Sequence, residues 1–116
     1  MPVIKVQTSV PCSADAKDSL VKELSAMTAA CIGKPETYQA AVLEDDAVIS
    51  FGGEVGPAAF VEVRSIGGLN HSVNNELAKK ISDCLSERLG IDTARIYLNF
   101  FDVPASDWAW KGRTFG

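Results

Sequence analysis

The sequence predicts an α/β (α+β) fold in which two βαβ units form a four-stranded mixed sheet with two helices on one face. Three observations predict it. A strand–helix–strand order occurs twice along the 116 residues. Each helical segment carries an apolar stripe at helical spacing, and each ends at a glycine, Gly33 or Gly90, in matching positions of the two halves. A chain of this length forms one domain, which we expect to span residues 1–116.

The first half predicts one amphipathic helix between strands. Residues 2–10 alternate as a strand, and Ser13 is a candidate N-cap for the helix that follows. Gly33 ends that helix. Two short strands are predicted at 38–43 and 47–51, separated by three acidic residues that we interpret as a solvated loop. The apolar stripe of the helix consists of Leu20, Leu24, Met27 and Cys31.

The second half repeats this order. Residues 58–64 alternate as a strand, glycines 67–68 form a turn, and Asn70 is a candidate N-cap for the second helix. Residues 95–101 form another strand, and the tail 108–115 is predicted to form a short terminal hairpin. Strands joined by a helical crossover run parallel, so each half contributes one parallel pair. The second apolar stripe consists of Leu77, Ile81, Leu85 and Leu89, with Cys84 beside it.

Composition and charge exclude several classes of protein. A net charge of −4 does not suit a nucleic acid or an anionic membrane as the main partner. No apolar run approaches the ~20 residues of a membrane span, and the N-terminus lacks the pattern of a signal peptide, so we expect a cytoplasmic protein. The metal-ligating residue types also lack ligand spacing, so a metal site is not expected. These residues are Cys12, Cys31, Cys84 and the one histidine, His71.

Two features keep the functional interpretation open at this point. The same order of elements is typical of the ferredoxin-like fold, which serves many functions. An RNA-binding version would need a basic sheet with a characteristic aromatic motif, and the sequence has neither. His71 lies near a helix start, where we interpret it as an exposed or capping residue rather than a catalytic one.

Pro2 is the unusual feature in chemical terms. We expect Met1 to be removed, because processing enzymes act when the next residue is small, and this removal leaves a secondary amine. An α-amino group has an ordinary pKa of about 7.7–8.0, and burial or a nearby cation lowers that pKa further. A neutral amine can take a proton from carbon and return it elsewhere. Many proteins begin with Met-Pro, however, so this observation alone does not indicate catalysis.

Six segments, taken together, resemble the macrophage migration inhibitory factor family, in that family's order and spacing across nearly the whole chain. They are residues 1–11, 32–38, 50–53, 65–68, 95–102 and 114–115. The resemblance implies a homotrimer with active sites between neighbouring subunits and Pro2 at the base of each. It also implies a small-molecule aromatic keto or enol acid as the ligand, bound without a metal or an organic cofactor.

The resemblance also implies roles for eight further residues. Lys34 matches a lysine that meets the substrate carboxylate, and Ile66 matches a pocket residue whose backbone N–H faces the substrate. Tyr97 and Asn99 match residues contributed by the adjacent subunit. The remaining four match the apolar pocket wall, formed by Trp108, Trp110 and Phe115, and the pocket mouth, where Tyr38 lies. Without the resemblance, we would interpret Lys34 as a lysine that the dipole at the end of the first helix favours. We would interpret the aromatic residues as packing in a core or a subunit contact.

These expectations lead to two functional hypotheses. The first is a cofactor-independent keto–enol tautomerase for phenylpyruvate-type aromatic α-keto acids, with Pro2 as general acid and base. The alternative is a cytokine-like signalling or binding protein with only incidental turnover. Vertebrate members of the family carry a Cys-x-x-Cys where this chain has Ala58 and Val61, and an arginine where it has Cys12. Trp108 replaces a smaller apolar residue, which predicts a narrower pocket.

Overall fold

The computed structural model describes residues 1–116. Its strands are β1 (Val3–Thr8), β2 (Ala40–Glu44), β3 (Ser50–Phe51), β4 (Glu54–Val55), β5 (Ala59–Ser65), β6 (Ile96–Asp102), β7 (Ala109–Trp110) and β8 (Arg113–Thr114). The central mixed sheet has the strand order β2-β1-β5-β6. Strands β1 and β2 run parallel, as do β5 and β6, and the antiparallel pair β1–β5 joins the two units. This arrangement confirms the predicted fold.

Both helices begin at a side-chain cap and end at a glycine, as predicted. They are α1 (Ala14–Ile32) and α2 (His71–Leu89). The Ser13 hydroxyl accepts a hydrogen bond from the backbone N–H three residues on, at 3.2 Å, and the Asn70 side chain does the same at 2.9 Å. Gly33 and Gly90 follow the helices with φ of 77° and 69°, in the left-handed region that favours glycine.

The hydrophobic core lies between the helices and one face of the sheet. Alternate residues of β1 and β5 point into it, and the helix stripes cover them. Burial of each large aliphatic side chain contributes about 1.5–3 kcal/mol. Its largest members are Ile4, Val6, Leu20, Leu24, Val61, Val63, Leu77, Ile81, Leu85 and Ile91. The opposite face of the sheet has no helix above it, and we call it the uncovered face. Its side chains include Lys5, Gln7, Phe60, Glu62, Arg64, Tyr97, Asn99 and Phe101.

Two predicted strands are shorter than expected. The segment predicted as a strand at 38–43 begins instead with the 3₁₀ turn Glu36–Tyr38, and its strand starts at Ala40. The segment 47–51 contributes only β3, which pairs with β4 rather than with the central sheet. The glycines 52–53, with φ of 60° and 82°, turn the chain back on itself and fix that small hairpin.

The acidic run at the end of β2 is solvated at Glu44 and Asp46, which are exposed, whereas Asp45 is partly buried. The Asp45 carboxylate accepts a hydrogen bond from the backbone N–H of Cys12 at 2.8 Å, and Lys17 Nζ lies 3.4 Å from it. The backbone hydrogen bond, followed by the contact with Lys17, lowers the pKa of Asp45. The loop therefore joins the end of β2 to the start of α1.

The predicted terminal hairpin is present as β7 and β8. Lys111 and Gly112 form its two-residue turn with φ of 52° and 78°, the combination that a tight antiparallel hairpin favours. Neither α1 nor α2 combines the length and the apolar run that a membrane span requires.

Candidate active site

Pro2 lies immediately before β1 and is buried. The alternation of β1 places its ring on the helix-facing side of the sheet, together with Ile4. The Pro2 carbonyl accepts a hydrogen bond from the backbone N–H of Ala40 at 3.2 Å. On its other side, Val3 pairs with Arg64, so Pro2 is set beside the next residue of β5. The N-terminal residue of the fold is therefore held between two strands, under the end of α1.

Lys34 lies in the loop after α1 and packs against the glycine turn that follows Ile66. A Cβ atom added at Gly68 would lie 3.3 Å from Lys34 Cε and only 2.6 Å from Ile32 Cγ2, so only a glycine allows this close approach. Gly67 is held in place by its N–H, which donates to the Asp102 carboxylate at 3.0 Å. The helix end and the turn thus bring Lys34 and the Ile66 loop together.

The positive charge of Lys34 reaches the N-terminus of the chain. In the structure Met1 precedes Pro2, so the terminal amine belongs to Met1. Burial, and then the charge of Lys34, lower the pKa of this amine below its ordinary value. The Pro2 nitrogen lies one residue further in, at the buried start of β1.

Three of the predicted aromatic residues form a cluster beside this end of the sheet. The Tyr38 and Trp110 rings meet edge to face with centroids 5.7 Å apart, and Trp110 stacks with Phe115 at 6.5 Å. Lys111 Nζ lies 4.6 Å from the centre of the Trp110 ring. Tyr38 precedes the start of β2 by two residues, and β2 begins at the residue that bonds Pro2. The terminal hairpin therefore brings an aromatic surface next to the N-terminus.

Trp108 does not join that cluster in the single chain. It lines a separate depression of about 330 Å³ together with Val3, Arg64 and Asp107. Val3 and Arg64 are neighbours across β1 and β5 and point toward the uncovered face. Trp108 therefore lies on a different side of the sheet edge from Trp110.

Tyr97 and Asn99 are also remote from Pro2 within one chain. Both project from β6 on the uncovered face, and Tyr97 packs against Phe51 with ring centroids 4.7 Å apart. Tyr97 pairs with Phe60, five residues along β5 from the level of Pro2. Five strand residues span ~17 Å. The face and the distance together mean that these two side chains can meet Pro2 only in an assembly of several copies.

Residues 1–116 match the family model described as "Macrophage migration inhibitory factor (MIF)". The chain belongs to the MIF family. It is 34% identical to the macrophage migration inhibitory factor of Xenopus laevis, over 99% of each chain.

Solved structures of the MIF family agree with this fold. The MIF homologue from Prochlorococcus marinus is 43% identical, with a TM-score of 0.93 over 98% of this chain and 99% of that one. The MIF of Toxoplasma gondii is 32% identical, with a TM-score of 0.93 over 97% of this chain and 99% of that one. The resemblance inferred from the six sequence segments is thereby confirmed.

One residue beside Pro2 was missed by the reasoning from sequence. Gln39 lies between the turn at Glu36–Tyr38 and β2, and both polar atoms of its carboxamide are buried. A signal existed, because Gln39 shares the alternation of Ala41 and Leu43, which pack against the core. Its place beside Pro2 depends on the register of β2 against β1, which the order of residues does not reveal. No group of three histidine, cysteine or acidic side chains is placed to hold a metal ion.

Proposed function

We propose that this MIF family member is a cofactor-independent keto–enol tautomerase for phenylpyruvate-type aromatic α-keto acids. The observation that carries the proposal is the position of Pro2, which is buried at the start of β1 and follows directly on the Met1 amine, whose pKa burial and the charge of Lys34 lower. An amine that is neutral near pH 7 suits general acid–base work. The proposal requires that Met1 be removed, since an amide nitrogen at Pro2 is not basic.

In the proposed reaction one proton moves between two atoms of the substrate. The neutral Pro2 nitrogen takes the proton from the carbon next to the carbonyl, and an enolate forms as the amine becomes charged. The amine then returns that proton to the oxygen, which gives the enol, and the reverse sequence gives the keto acid. Lys34 pairs with the substrate carboxylate, the backbone N–H of Ile66 faces it, and the aromatic ring packs among Trp110, Phe115 and Tyr38.

We further propose that the working protein is a homotrimer whose sites lie between subunits. Tyr97 and Asn99 support this proposal, because their distance from Pro2 requires a second copy if they contribute to the pocket. Val48 and Val55 support it too, since they are 91% and 76% exposed on the rim of an apolar groove of about 410 Å³. Such surface is typical of a contact between proteins. Light scattering that shows a monomer at micromolar concentration would contradict the trimer.

The test of catalysis compares Pro2→Ala with His71→Gln in protein whose Met1 removal is verified by mass. Pro2→Ala should lower kcat/KM for phenylpyruvate by about 10²–10⁴-fold, the usual worth of a positioned acid–base group. His71 is the natural competitor, since histidine is the side chain that most often serves as a general acid or base. It is exposed at the first turn of α2, where its ring contacts Asn75 at 3.1 Å, so its replacement should change little.

The pH profile separates the two residues. For the wild type, kcat/KM should rise with pH through a group that titrates below the ordinary α-amino value, because the free enzyme must hold the amine neutral. A pH step that survives Pro2→Ala and vanishes in His71→Gln would refute the mechanism. Absence of any turnover in the wild type would favour the signalling or binding alternative.

A further inference from the structure

Gln39 presents an unusual arrangement for a residue next to a proposed base. Its Oε1 and Nε2 are both buried, and neither has a hydrogen-bond partner within the chain. Buried polar groups are nearly always hydrogen-bonded, because an unpaired one loses its bonds to water without replacement. The carboxamide therefore points to a partner that forms part of the site's function.

The strand register places Gln39 directly beside Pro2. Val3 pairs with Ala40 in the parallel β1–β2 pair, so the preceding residues, Pro2 and Gln39, also face each other. Both belong to the helix-facing side, since Gln39 shares its alternation with Ala41. Neighbouring strands lie about 4.8 Å apart, which is within the reach of a glutamine side chain.

The Pro2 nitrogen also faces β2. In a parallel pair, the N and C=O of one residue point toward the same neighbouring strand. The Pro2 carbonyl accepts from the Ala40 N–H, so the nitrogen of Pro2 lies on that side as well. The nitrogen and the Gln39 carboxamide therefore share one side of β1 and one face of the sheet.

We propose that the Gln39 carboxamide hydrogen-bonds the free amine of Pro2 and is a positioning residue of the active site. The inference rests on the proposed function in requiring a free amine at Pro2. Oε1 accepts from an N–H of the amine in both protonation states, because a secondary amine keeps one N–H when it is neutral. The lone pair of the neutral amine therefore stays free for the substrate proton. Both protonation states are thus held in one orientation through the catalytic cycle.

The bond to the charged amine is the stronger of the two. Gln39 therefore raises the proton affinity of Pro2 and opposes burial and the charge of Lys34, both of which lower it. This balance keeps the amine able both to take and to return a proton. The ionisable side chains on the elements that flank Pro2 are Lys34 after α1, Glu36 and Tyr38 before β2, Arg64 on β5 and Asp102 at the end of β6. Among them, Lys34 is the one whose charge acts on the N-terminal amine of Met1. All of them are unchanged by substitution of Gln39.

The experiment measures the pKa of Pro2 directly, by ¹⁵N NMR titration of proline-labelled protein lacking Met1. Gln39→Met, of similar shape, should lower that pKa by about one pH unit, the difference between a charged and a neutral hydrogen bond. Gln39→Glu adds a carboxylate beside the amine and should raise it by about 1–3 pH units. The matched control is Gln7→Met, on β1 and on the uncovered face of the sheet, which should leave the Pro2 pKa unchanged.

The order of the three pKa values decides the inference. The inference is overturned when Gln39→Met leaves the Pro2 pKa unchanged. If that variant also weakens the oligomer, the carboxamide belongs to a subunit contact instead. When Gln39→Met does not fold, a Gln39→Glu variant with an unraised pKa overturns it alone. The titration needs no substrate. A wild type without turnover but with the expected pKa order would therefore uphold the inference and reject the proposed function.

Discussion

Replacement of Gly68 by alanine tests how the Lys34 loop is held. The added Cβ would lie 2.6 Å from Ile32 Cγ2, closer than real contacts allow, and 3.3 Å from the Ile32 carbonyl oxygen. A left-handed residue other than glycine costs about 1–2 kcal/mol, and overpacking adds about 1–3 kcal/mol. We therefore expect Gly68→Ala to lower the free energy of unfolding by about 2–5 kcal/mol.

Gly67 provides a matched control for this change. Its φ of 72° is close to the 80° of Gly68, but the nearest atom to its added Cβ is Lys34 Nζ at 4.0 Å. Gly67→Ala should therefore cost only the conformational part, about 1–2 kcal/mol. Urea denaturation at one fixed protein concentration measures both variants, since assembly makes stability depend on concentration. Equal losses of unfolding free energy in the two variants would refute the packing argument. We also expect KM to rise more in Gly68→Ala than in Gly67→Ala, because the added Cβ displaces Lys34.

Three further predictions follow from the site and the fold. Lys34→Ala should raise KM for a carboxylate substrate more than it lowers kcat, because an ion pair of this kind acts alike on ground and transition states, and it should raise the pKa of the Pro2 amine. An unchanged KM in steady-state assays would reject that assignment. Asp45→Asn should lower the free energy of unfolding at neutral pH and make it less sensitive to acid. The lowered pKa of folded Asp45 contributes stability that is present above the pKa of the unfolded state and is lost as the pH falls through the pKa of the folded state. Equal pH dependence of unfolding for the variant and the wild type between pH 2 and 7 would contradict this. Serine at all three cysteines should leave turnover intact in protein shown by circular dichroism to be folded, because none of them lies at the proposed site, and a large loss of rate would count against it. The three are Cys12, Cys31 and Cys84.

The sequence predicted most of the secondary structure because the signals are local. Ser13 and Gly33 delimit α1, and each acts through backbone groups within a few residues of itself. The errors arose where a distant contact decided the outcome. Residues 47–49 read as a strand by composition, yet the Ala47 N–H bonds the carbonyl of Thr8 and the chain turns away from the sheet before β3.

The proposed site shows the same division between local and distant information. The chemistry of Pro2 and the charge of Lys34 could be inferred from residue type and the family resemblance. Their proximity depends on the approach of α1 to the glycine turn, which requires Gly68 to lack a side chain. Trp108 and Trp110 are two residues apart, and only the folded hairpin shows that they line different surfaces.

The order of residues was enough to predict the elements of this protein and the faces they bury, and it singled out Pro2. Spacing along one helix or strand fixes these properties, because side-chain direction repeats with a known period. Only the tertiary structure decided which elements meet. It set Gln39 beside Pro2 through the register of two strands and placed Tyr97 on the opposite face of the sheet. Register and face depend on contacts between residues far apart in the chain, and the order of residues does not state those contacts.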